Sequence, residues 1–193
     1  MSYDDHLAYG QAGESAISRW LRRKGGTVLP AYEKLIETGK GPQLFGPDRA
    51  LIAPDLLLIR QRLDDNVQWI EAKHKGGFTW YRNGHPWPAL EYGRWTTGID
   101  RRHYQDYLAV AKTTPWPVWL LFLHDGTPTK DSPDGTGGPP GLFGNELLYL
   151  SGHVSHESSN YGLSGMVYWG IDDLKLLASL EDIRDSAKPT LQP

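Results

Sequence analysis

The chain has 193 residues, and its 20 Lys and Arg residues against 23 Asp and Glu residues give a formal net charge of −3 at pH 7. This length suits one α/β domain, and the acidic balance argues against a protein that coats nucleic acid through bulk positive charge. The absence of cysteine excludes disulfides and thiolate metal sites and is typical of a reducing compartment. Because no apolar stretch reaches membrane length and no secretory leader is present, we expect a cytoplasmic protein with no membrane partner.

The first predicted element is a helix over residues 9–24, where apolar residues recur at helical spacing until a Gly-Gly pair ends it. Glu14 lies three and seven residues before Ile17 and Leu21, so it falls on the inward edge of this helix. An inward glutamate either aims at a metal centre or is a first-turn acid favoured by the helix dipole. The sequence leaves both interpretations open.

Three strands are predicted next. The first covers about residues 27–33 and is followed by a loop at 37–49. The second and third cover about 51–60 and 67–73. The sequence Asp-Asp-Asn at 64–66 is typical of a turn, so the last two strands are expected to form a hairpin.

Asp55, Glu71 and Lys73 are the strongest candidates for a functional site. Asp55 opens an apolar run that is typical of a buried strand, and Glu71 and Lys73 lie two apart, so they point to one face of the next strand. The hairpin places the two carboxylates side by side, which favours a hard divalent cation. A second Pro-Asp pair ends at Asp48, but its Gly and Pro neighbours indicate a loop, so we assign Asp55. The structural alternative is a surface hairpin in which Glu71 and Lys73 form a charge pair.

An aromatic-rich insertion is predicted over about residues 76–99, directly after the strand that carries Lys73. Its aromatic residues are Phe78, Trp80, Tyr81, Trp87, Tyr92 and Trp95. Aromatic rings can stack on exposed bases and cations can hold phosphates, so we interpret Lys75, Arg82 and Arg94 as candidate nucleic-acid contacts. The alternative, which is favoured for the tryptophans, is a packed insertion whose aromatic side chains build a secondary core.

A helix over residues 101–112 is predicted next, with Asp100 as a favourable N-cap. The apolar run at 117–123 then predicts a buried strand, so strand, helix and strand form a crossover, which is usually right-handed. Residues 125–144 are rich in Gly, Pro, Asp, Ser and Thr, and they predict a long mobile loop.

The last part of the chain is predicted to contain two further strands, at 146–150 and at 166–170. Asp172 and Asp173 begin a terminal helix with a leucine-rich stripe, and residues 188–193 form a tail.

Pro54-Asp55 on one strand and Glu71-Ala72-Lys73 on the next resemble the motif of the PD-(D/E)XK nuclease superfamily, which includes restriction-endonuclease-like and Holliday-junction-resolvase-like nucleases. The resemblance implies a single nuclease-like domain over residues 1–193. Its expected fold is α/β with a restriction-endonuclease-like core, in which helices flank a mixed central β-sheet. The implied activity is hydrolysis of phosphodiester bonds with Mg²⁺, for which Mn²⁺ substitutes. DNA is favoured over RNA and internal cleavage over end cleavage, and a homodimer would cut both strands of a duplex.

The resemblance also implies roles for individual residues. Asp55, Glu71 and the carbonyl of Ala72 would bind the metal, and Glu14 would complete the shell directly or through water. Lys73 would orient the attacking water or stabilise the charge of the transition state. Because adjacent carboxylates oppose deprotonation of a lysine, the electrostatic role is favoured over general-base catalysis.

Many members of the superfamily carry a glutamine on the helix after the lysine strand, and Gln105 matches it as a further catalytic residue. The RecB-like version of the motif expects a tyrosine four residues later, where this chain has Ala109, so no subfamily is assigned. Two other functions stay open. One is a non-catalytic module that binds nucleic acid or protein on a nuclease-like scaffold. The other is a metal-dependent hydrolase of small phosphoesters.

Overall fold

The computed structural model describes residues 3–30, 43–45, 49–60, 67–84, 93–130 and 132–185. Its helices are α1 (Tyr3–Arg23), α2 (Arg101–Thr113), α3 (Leu147–Ser151) and α4 (Leu180–Asp185). Its strands are β1 (Gly26–Pro30), β2 (Gln43–Phe45), β3 (Ala50–Ile52), β4 (Leu56–Arg60), β5 (Val67–Lys75), β6 (Thr79–Tyr81), β7 (Arg94–Asp100), β8 (Val118–His124), β9 (Gly141–Glu146), β10 (His156–Ser158), β11 (Met166–Gly170) and β12 (Lys175–Ala178). The expected turn at 64–66, Asp48 and the tail at 188–193 lie outside the described residues.

The main sheet has six strands in the order β1-β4-β5-β8-β9-β12. Only the β5 and β8 pair is parallel among its described strands, and the other neighbours are antiparallel, so the sheet is mixed. Apolar residues of α1 and α4 pack on one face of the sheet, and apolar residues of α2 and α3 pack on the other. The expected α/β class, with a mixed central sheet flanked by helices, is confirmed. None of the described helices is long and apolar enough to cross a membrane.

The hairpin and the crossover that position the candidate site are both present. β4 and β5 pair antiparallel with Leu56 opposite Ile70, and β5 pairs in parallel with β8 across the α2 connection. The side chain of Asp100 caps α2, since it accepts a hydrogen bond of 2.9 Å from the backbone N–H of Arg102. The predicted N-cap and the predicted strand-helix-strand unit are therefore confirmed.

Strand alternation divides β5 into two functional faces. Ile70 and Ala72 belong to the core cluster shared with α1, whereas Trp69 belongs to the cluster shared with α2. Glu71 and Lys73 have the same parity as Trp69, so they lie on the α2 face of the sheet. Glu71 and Lys73 are thereby kept together on one side of the strand, while Ile70 and Ala72 pack into the core on its other side.

The aromatic-rich insertion leads into a second sheet of four strands, in the order β10-β11-β7-β6. Phe78 is fully buried, and Trp80 and Trp95 meet edge to face with their ring centroids 5.0 Å apart. Val167 and Trp169 of β11 join the same core cluster as Phe78. Phe78 and Trp95 are therefore packed, as the alternative expects, but they join the core cluster of the main sheet and α2 and do not build a secondary core.

The predicted strand at 51–60 is two strands in different sheets. β3 pairs with β2, so the predicted loop at 37–49 contains a strand at Gln43–Phe45, whereas β4 pairs with β1 and β5 in the main sheet. The break falls at Ala53 and Pro54, where proline cannot donate a ladder hydrogen bond. This break is what frees Asp55 from regular pairing.

Two predictions for the last part of the chain are wrong. The predicted strand at 146–150 is the end of β9 followed by α3, in which Leu147 and Leu150 are both fully buried at helical spacing. The predicted terminal helix is a 3₁₀ turn at Ile171–Asp173, then β12 on the edge of the main sheet, and then α4. Short leucine-rich runs satisfy both strand and helix periodicity, and pairing with β9 decides between them.

Helix α1 is fixed to the sheet by a cluster of three polar side chains. The rings of Tyr9 and His74 stack with their centroids 3.7 Å apart. His74 Nδ1 lies 2.8 Å from the carbonyl of Tyr9, and His74 Nε2 lies 3.0 Å from Oδ1 of Asp125. The hydroxyl of Tyr9 donates a hydrogen bond of 2.5 Å to Oδ2 of Asp125. This tether joins α1 to the ends of β5 and β8.

The tether predicts a measurable effect of a single hydroxyl group. Tyr9→Phe keeps the ring stacked on His74 but removes the donor to Asp125, so the free energy of unfolding should fall by about 1 kcal/mol. Urea denaturation followed by circular dichroism measures this change. Tyr149→Phe is the matched control, because Tyr149 also stacks on a histidine but is 45% exposed. Equal stability of the two variants would contradict the proposed tether.

Candidate active site

Asp55 is held by the backbone of the neighbouring strand. It directly precedes β4 and is 9% exposed, and its Oδ2 accepts a hydrogen bond of 3.0 Å from the backbone N–H of Ala72. The ladder between β4 and β5 would continue to Pro54 opposite Ala72, but regular pairing has ended there. Asp55 therefore takes the place that the missing strand would occupy.

The same geometry directs a backbone oxygen towards Asp55. In an antiparallel ladder, the N–H and the C=O of one residue point to the same neighbouring strand. Because the N–H of Ala72 meets Asp55, the carbonyl of Ala72 faces the same side, where β4 offers no donor. The predicted carbonyl ligand thus faces the same edge of β5 as Asp55.

Glu71 lies in the middle of the main sheet, opposite Leu120 of β8, and its side chain is 0% exposed. Oε1 forms an ion pair with Nζ of Lys73. In the described part of the chain, neither carboxylate oxygen has a hydrogen bond of regular geometry. A buried carboxylate is costly unless it is paired, so Glu71 depends on Lys73 and on its neighbours Asp55 and Tyr107 for compensation.

The pKa values show how strongly these groups act on one another. Burial, followed by the charge of Glu71, raises the pKa of Asp55 to about 7, although Lys73 and the Ala72 N–H oppose the shift. Burial alone would lower the pKa of Lys73, but the charges of Glu71, Asp55 and Glu14 outweigh it and raise that pKa above its usual range. Lys73 is therefore a permanent cation at neutral pH, which agrees with an electrostatic role and disfavours general-base catalysis.

Glu14 lies on α1, which packs on the other face of the main sheet from α2. It is half-buried on α1, and its charge contributes to the raised pKa of Lys73, as the smallest of the contributions. The inward orientation expected from helical periodicity therefore brings Glu14 within electrostatic reach of the site. The tether between α1 and the sheet holds the helix that carries it.

Lys75 lies on the same face of β5 as Glu71 and Lys73. Burial, followed by the charge of Lys73, lowers the pKa of Lys75 to about 8. Opposite Lys75 in the sheet, burial and then the charge of Lys75 lower the pKa of His124 to about 3. The sequence predicts Lys75 as a nucleic-acid contact after the strand, and the structure places it in one row with the catalytic candidates.

Two residues of α2 face the carboxylates and are not among the predicted site residues. Burial, followed by the charges of Glu71 and Asp55, raises the pKa of Tyr107 well above its usual range, and this side chain is 1% exposed. Burial and then the charge of Lys73 lower the pKa of His103. His103 and Tyr107 are four residues apart, so they share a helix face that sequence periodicity alone could have identified.

Gln105 does not share the face of α2 that carries His103 and Tyr107. It lies two positions from both His103 and Tyr107, which turns its side chain to the far side of α2, and it is exposed. The glutamine expected from the family motif is thus present in the sequence, but α2 presents a tyrosine and a histidine to the carboxylates instead.

Arg82 and Arg94 lie on the second sheet, away from the carboxylates. Arg82 lines a groove on the outer face of the second sheet, and the charge of Arg94 acts on His156, which lines the same groove. Neither arginine contributes to the shifted pKa values of Asp55 or Lys73. The aromatic insertion therefore carries the expected basic residues as a separate surface feature.

The donors at the carboxylate pair fit a hard cation by their chemistry. Asp55, Glu71 and the carbonyl of Ala72 supply oxygen atoms, which are the ligands that Mg²⁺ prefers, and Mg²⁺ keeps several waters when it binds to few carboxylates. Within the described ranges, no three or more His, Asp or Glu side chains form a ready metal-binding cluster.

Comparison with known proteins adds no family to this geometry. No protein-family model matches the chain, and neither the curated proteins nor the solved structures include a significant match. The assignment of a function to this chain therefore rests on the chemistry of its own residues.

The raised pKa of Asp55 predicts a specific dependence of stability on pH. The unfolded chain releases this proton near pH 3.8, whereas the folded protein keeps it until about pH 7, so folding loses stability as the pH rises through this window. The loss is at most about 4 kcal/mol, because one pKa unit corresponds to about 1.4 kcal/mol. An asparagine at this position would mimic the protonated side chain, so Asp55→Asn should become the more stable form above this window.

The measurement is the free energy of urea unfolding at several pH values, with EDTA to remove divalent cations. The difference between wild type and Asp55→Asn should grow steadily between about pH 4 and pH 7. Asp172→Asn, at an exposed aspartate, controls for general charge effects and should give a constant difference. Parallel curves for all three proteins would show that Asp55 titrates normally.

Proposed function

We propose that this protein is a Mg²⁺-dependent nuclease of the PD-(D/E)XK type that hydrolyses phosphodiester bonds in DNA by internal cleavage. The observation that carries this proposal is the buried pair of carboxylates, Asp55 directly before β4 and Glu71 on β5, with the half-buried Lys73 ion-paired to Glu71. In this proposal the main sheet with α1 and α2 corresponds to a restriction-endonuclease-like core. The order of its strands and the parallel β5–β8 pair are compatible with that core.

Burial of the carboxylate pair is the strongest physical support. A protein that needed only a stable sheet would gain little from two neighbouring buried carboxylates in its centre, because burial of charge destabilises the fold even where a lysine compensates it. Ionised Asp55 and Glu71 repel one another, and this repulsion raises the pKa of Asp55. A site that accepts this cost is typical of a catalytic centre, where strongly shifted pKa values concentrate.

Each residue has a defined part in the proposed reaction. Asp55, Glu71 and the Ala72 carbonyl hold the metal, and Glu14 assists from α1. A divalent cation bound there would polarise the phosphoryl group and lower the pKa of a bound water. Lys73 remains protonated and stabilises the negative charge that develops on the phosphorus oxygens.

Lys75 and Tyr107 extend the proposed site. Lys75, with its pKa near 8, is a second cation in the row and can exchange a proton near neutral pH. Tyr107 keeps its hydroxyl proton, since its pKa is raised, so it can donate a hydrogen bond towards the carboxylates. This donor from α2 takes the place that the family motif gives to a glutamine.

Substitution of the carboxylates tests the proposed function directly. Asp55→Asn and Glu71→Gln should lose Mg²⁺-dependent nicking of supercoiled circular DNA, because both remove a ligand charge. Folding should survive, since removal of one of two adjacent carboxylates relieves repulsion. Agarose gels of the plasmid measure cleavage, and Asp172→Asn serves as the matched control that should cleave normally.

Circular DNA distinguishes internal from terminal cleavage, because a strict exonuclease leaves it intact. Failure of the wild type to cut circular or linear DNA or RNA with Mg²⁺ or Mn²⁺ would reject the proposed activity. Turnover of a nucleotide monoester in the same buffer would then favour a small-phosphoester hydrolase. Cleavage that persists in Glu71→Gln would reject the assigned site while leaving the activity in place.

Replacement of Lys73 should separate catalysis from metal binding. Lys73→Met removes the cation that stabilises transition-state charge, so the cleavage rate should fall by about 10²- to 10³-fold. Affinity for Mn²⁺, measured by isothermal titration calorimetry, should stay equal or rise, because a positive charge beside the carboxylates has gone. Lys112→Met on the exposed side of α2 is the control. A large loss of Mn²⁺ affinity would contradict the electrostatic role.

A further inference from the structure

The outer face of the second sheet carries a groove with a volume of about 480 Å³. One wall comes from β6 and the turn that follows it, and the other comes from β10, β11 and the loop between them. The residues that determine its chemistry are Tyr81, Arg82, His156, Glu157, Tyr161 and Tyr168. We call this feature the outer groove; neither Asp55 nor Glu71 lines it.

Three flat rings form a continuous stack in this groove. The His156 ring lies 3.6 Å from the Tyr81 ring at an angle of 5°, and 4.4 Å from the Tyr168 ring at an angle of 2°. Two rings cannot share one face at these distances, so His156 lies between the two tyrosines. The stack joins β6 to β10, which are the two edges of the sheet.

The stack packs against Gly98 of β7, an inner strand of the second sheet. Tyr168 is directly opposite Gly98 on β7, and a Cβ atom at that position would lie 2.8 Å from the tyrosine ring. Glycine therefore leaves the space in which Tyr168 lies against the sheet. One end of the stack is covered by the backbone in this way, and the other end is Tyr81, which is half-buried and lines the groove.

The charges around the stack favour an anionic ligand with an aromatic part. Burial and then the charge of Arg94 lower the pKa of His156, so the central ring is neutral at pH 7. Glu157 forms an ion pair of 2.8 Å with Arg101, which offsets the negative charge of this wall. Arg82 lines the groove and Arg94 lies within electrostatic reach, so two guanidinium groups flank a neutral aromatic surface.

We propose that the outer groove binds an unpaired base of a nucleic-acid strand, stacked on Tyr81, with Arg82 and Arg94 holding the adjacent phosphates. Aromatic faces accept any base, because every base has a π-face, and arginines follow the phosphates of the backbone. Ser158 and Glu157 add polar groups that can meet the edge of a base. This inference rests on the proposed nuclease function for the identity of the polymer.

Helix α2 connects the outer groove to the carboxylates. Arg101 at its first position pairs with Glu157 of the groove, and Tyr107 faces Glu71. Arg101 and Tyr107 are six positions apart, which corresponds to about 9 Å along the helix axis. The groove and the proposed cleavage site are thus linked through α2, and the groove favours substrates with single-stranded segments.

The first experiment compares two ligands on the wild-type protein. Fluorescence anisotropy would measure binding of a labelled oligo(dT) of about 12 nucleotides and of an abasic strand of equal length. Ca²⁺ replaces Mg²⁺ so that no cleavage occurs. The oligo(dT) should bind at least about fivefold more tightly, since one stacked base contributes about 1–3 kcal/mol. Equal affinity for the two strands would overturn the proposal.

The second experiment assigns the effect to the ring of Tyr81. Tyr81→Ala should weaken oligo(dT) binding by about five- to one-hundredfold and leave abasic binding unchanged, whereas Tyr81→Phe should retain the wild-type affinity. Tyr149→Ala is the matched control, because it removes another exposed tyrosine that stacks on a histidine. Wild-type affinity in a folded Tyr81→Ala protein, or loss in Tyr81→Phe, would overturn the assignment to this ring.

The third experiment counts the phosphate contacts. Arg82→Ala with Arg94→Ala should flatten the slope of log K against log[salt] by about one to two units, roughly one for each lost contact. Binding at four salt concentrations gives the slope. An unaltered slope would overturn the assignment, because it would show that neither arginine contacts a phosphate. In every arm, cleavage by the carboxylate site is scored separately with Mg²⁺, so loss of stacking and loss of nuclease activity remain distinguishable.

Discussion

The fold depends on how a glutamate is accommodated in the middle of a sheet. Glu71 lies between β4 and β8 with no solvent access, and Lys73 on the same face neutralises it from two residues away. Strand geometry brings Lys73 and Glu71 together, because residues two apart share a face at a fixed spacing. The cost is that the Glu71 carboxylate must stay ionised without contact with water, while Lys73 keeps partial access to solvent. The arrangement around them, from the Asp55 carboxylate to the Tyr107 hydroxyl, is organised by this one requirement.

The break before β4 completes the site. Pro54 ends the ladder, Asp55 replaces the missing strand partner of Ala72, and backbone polar groups of β5 become available to a ligand. A continuous strand at this position would have satisfied those groups internally and left no oxygen for a cation. An irregularity of the backbone, rather than an added loop, therefore leaves backbone groups of β5 without a partner strand.

Much of this site follows from local sequence patterns. Alternation predicts the common face of Glu71 and Lys73, the cap at Asp100 locates α2, and helical spacing turns Glu14 inward. The remainder depends on tertiary contacts that no local pattern contains. The leucine-rich run after Glu146 satisfies two periodicities, and its burial under α2 makes it a helix. Lys75 has the pattern of a surface cation, because nothing in the sequence shows that tertiary burial lowers its pKa. A family motif points to Gln105, whereas the helix face on which the carboxylates act belongs to His103 and Tyr107.

The packing of α1 has a consequence for how the protein matures during synthesis. Ile17 near the start of the chain and Ile183 near its end are buried in the same cluster, and Asp125 is needed to tether Tyr9. The face of the sheet that packs against α1 therefore closes only after α4 has left the ribosome. Until then the apolar side of α1 has no complete partner, and such exposed surface is where chaperones act and where aggregation begins. Packing of α1 on the main sheet is thereby postponed until both Asp125 and α4 have been made.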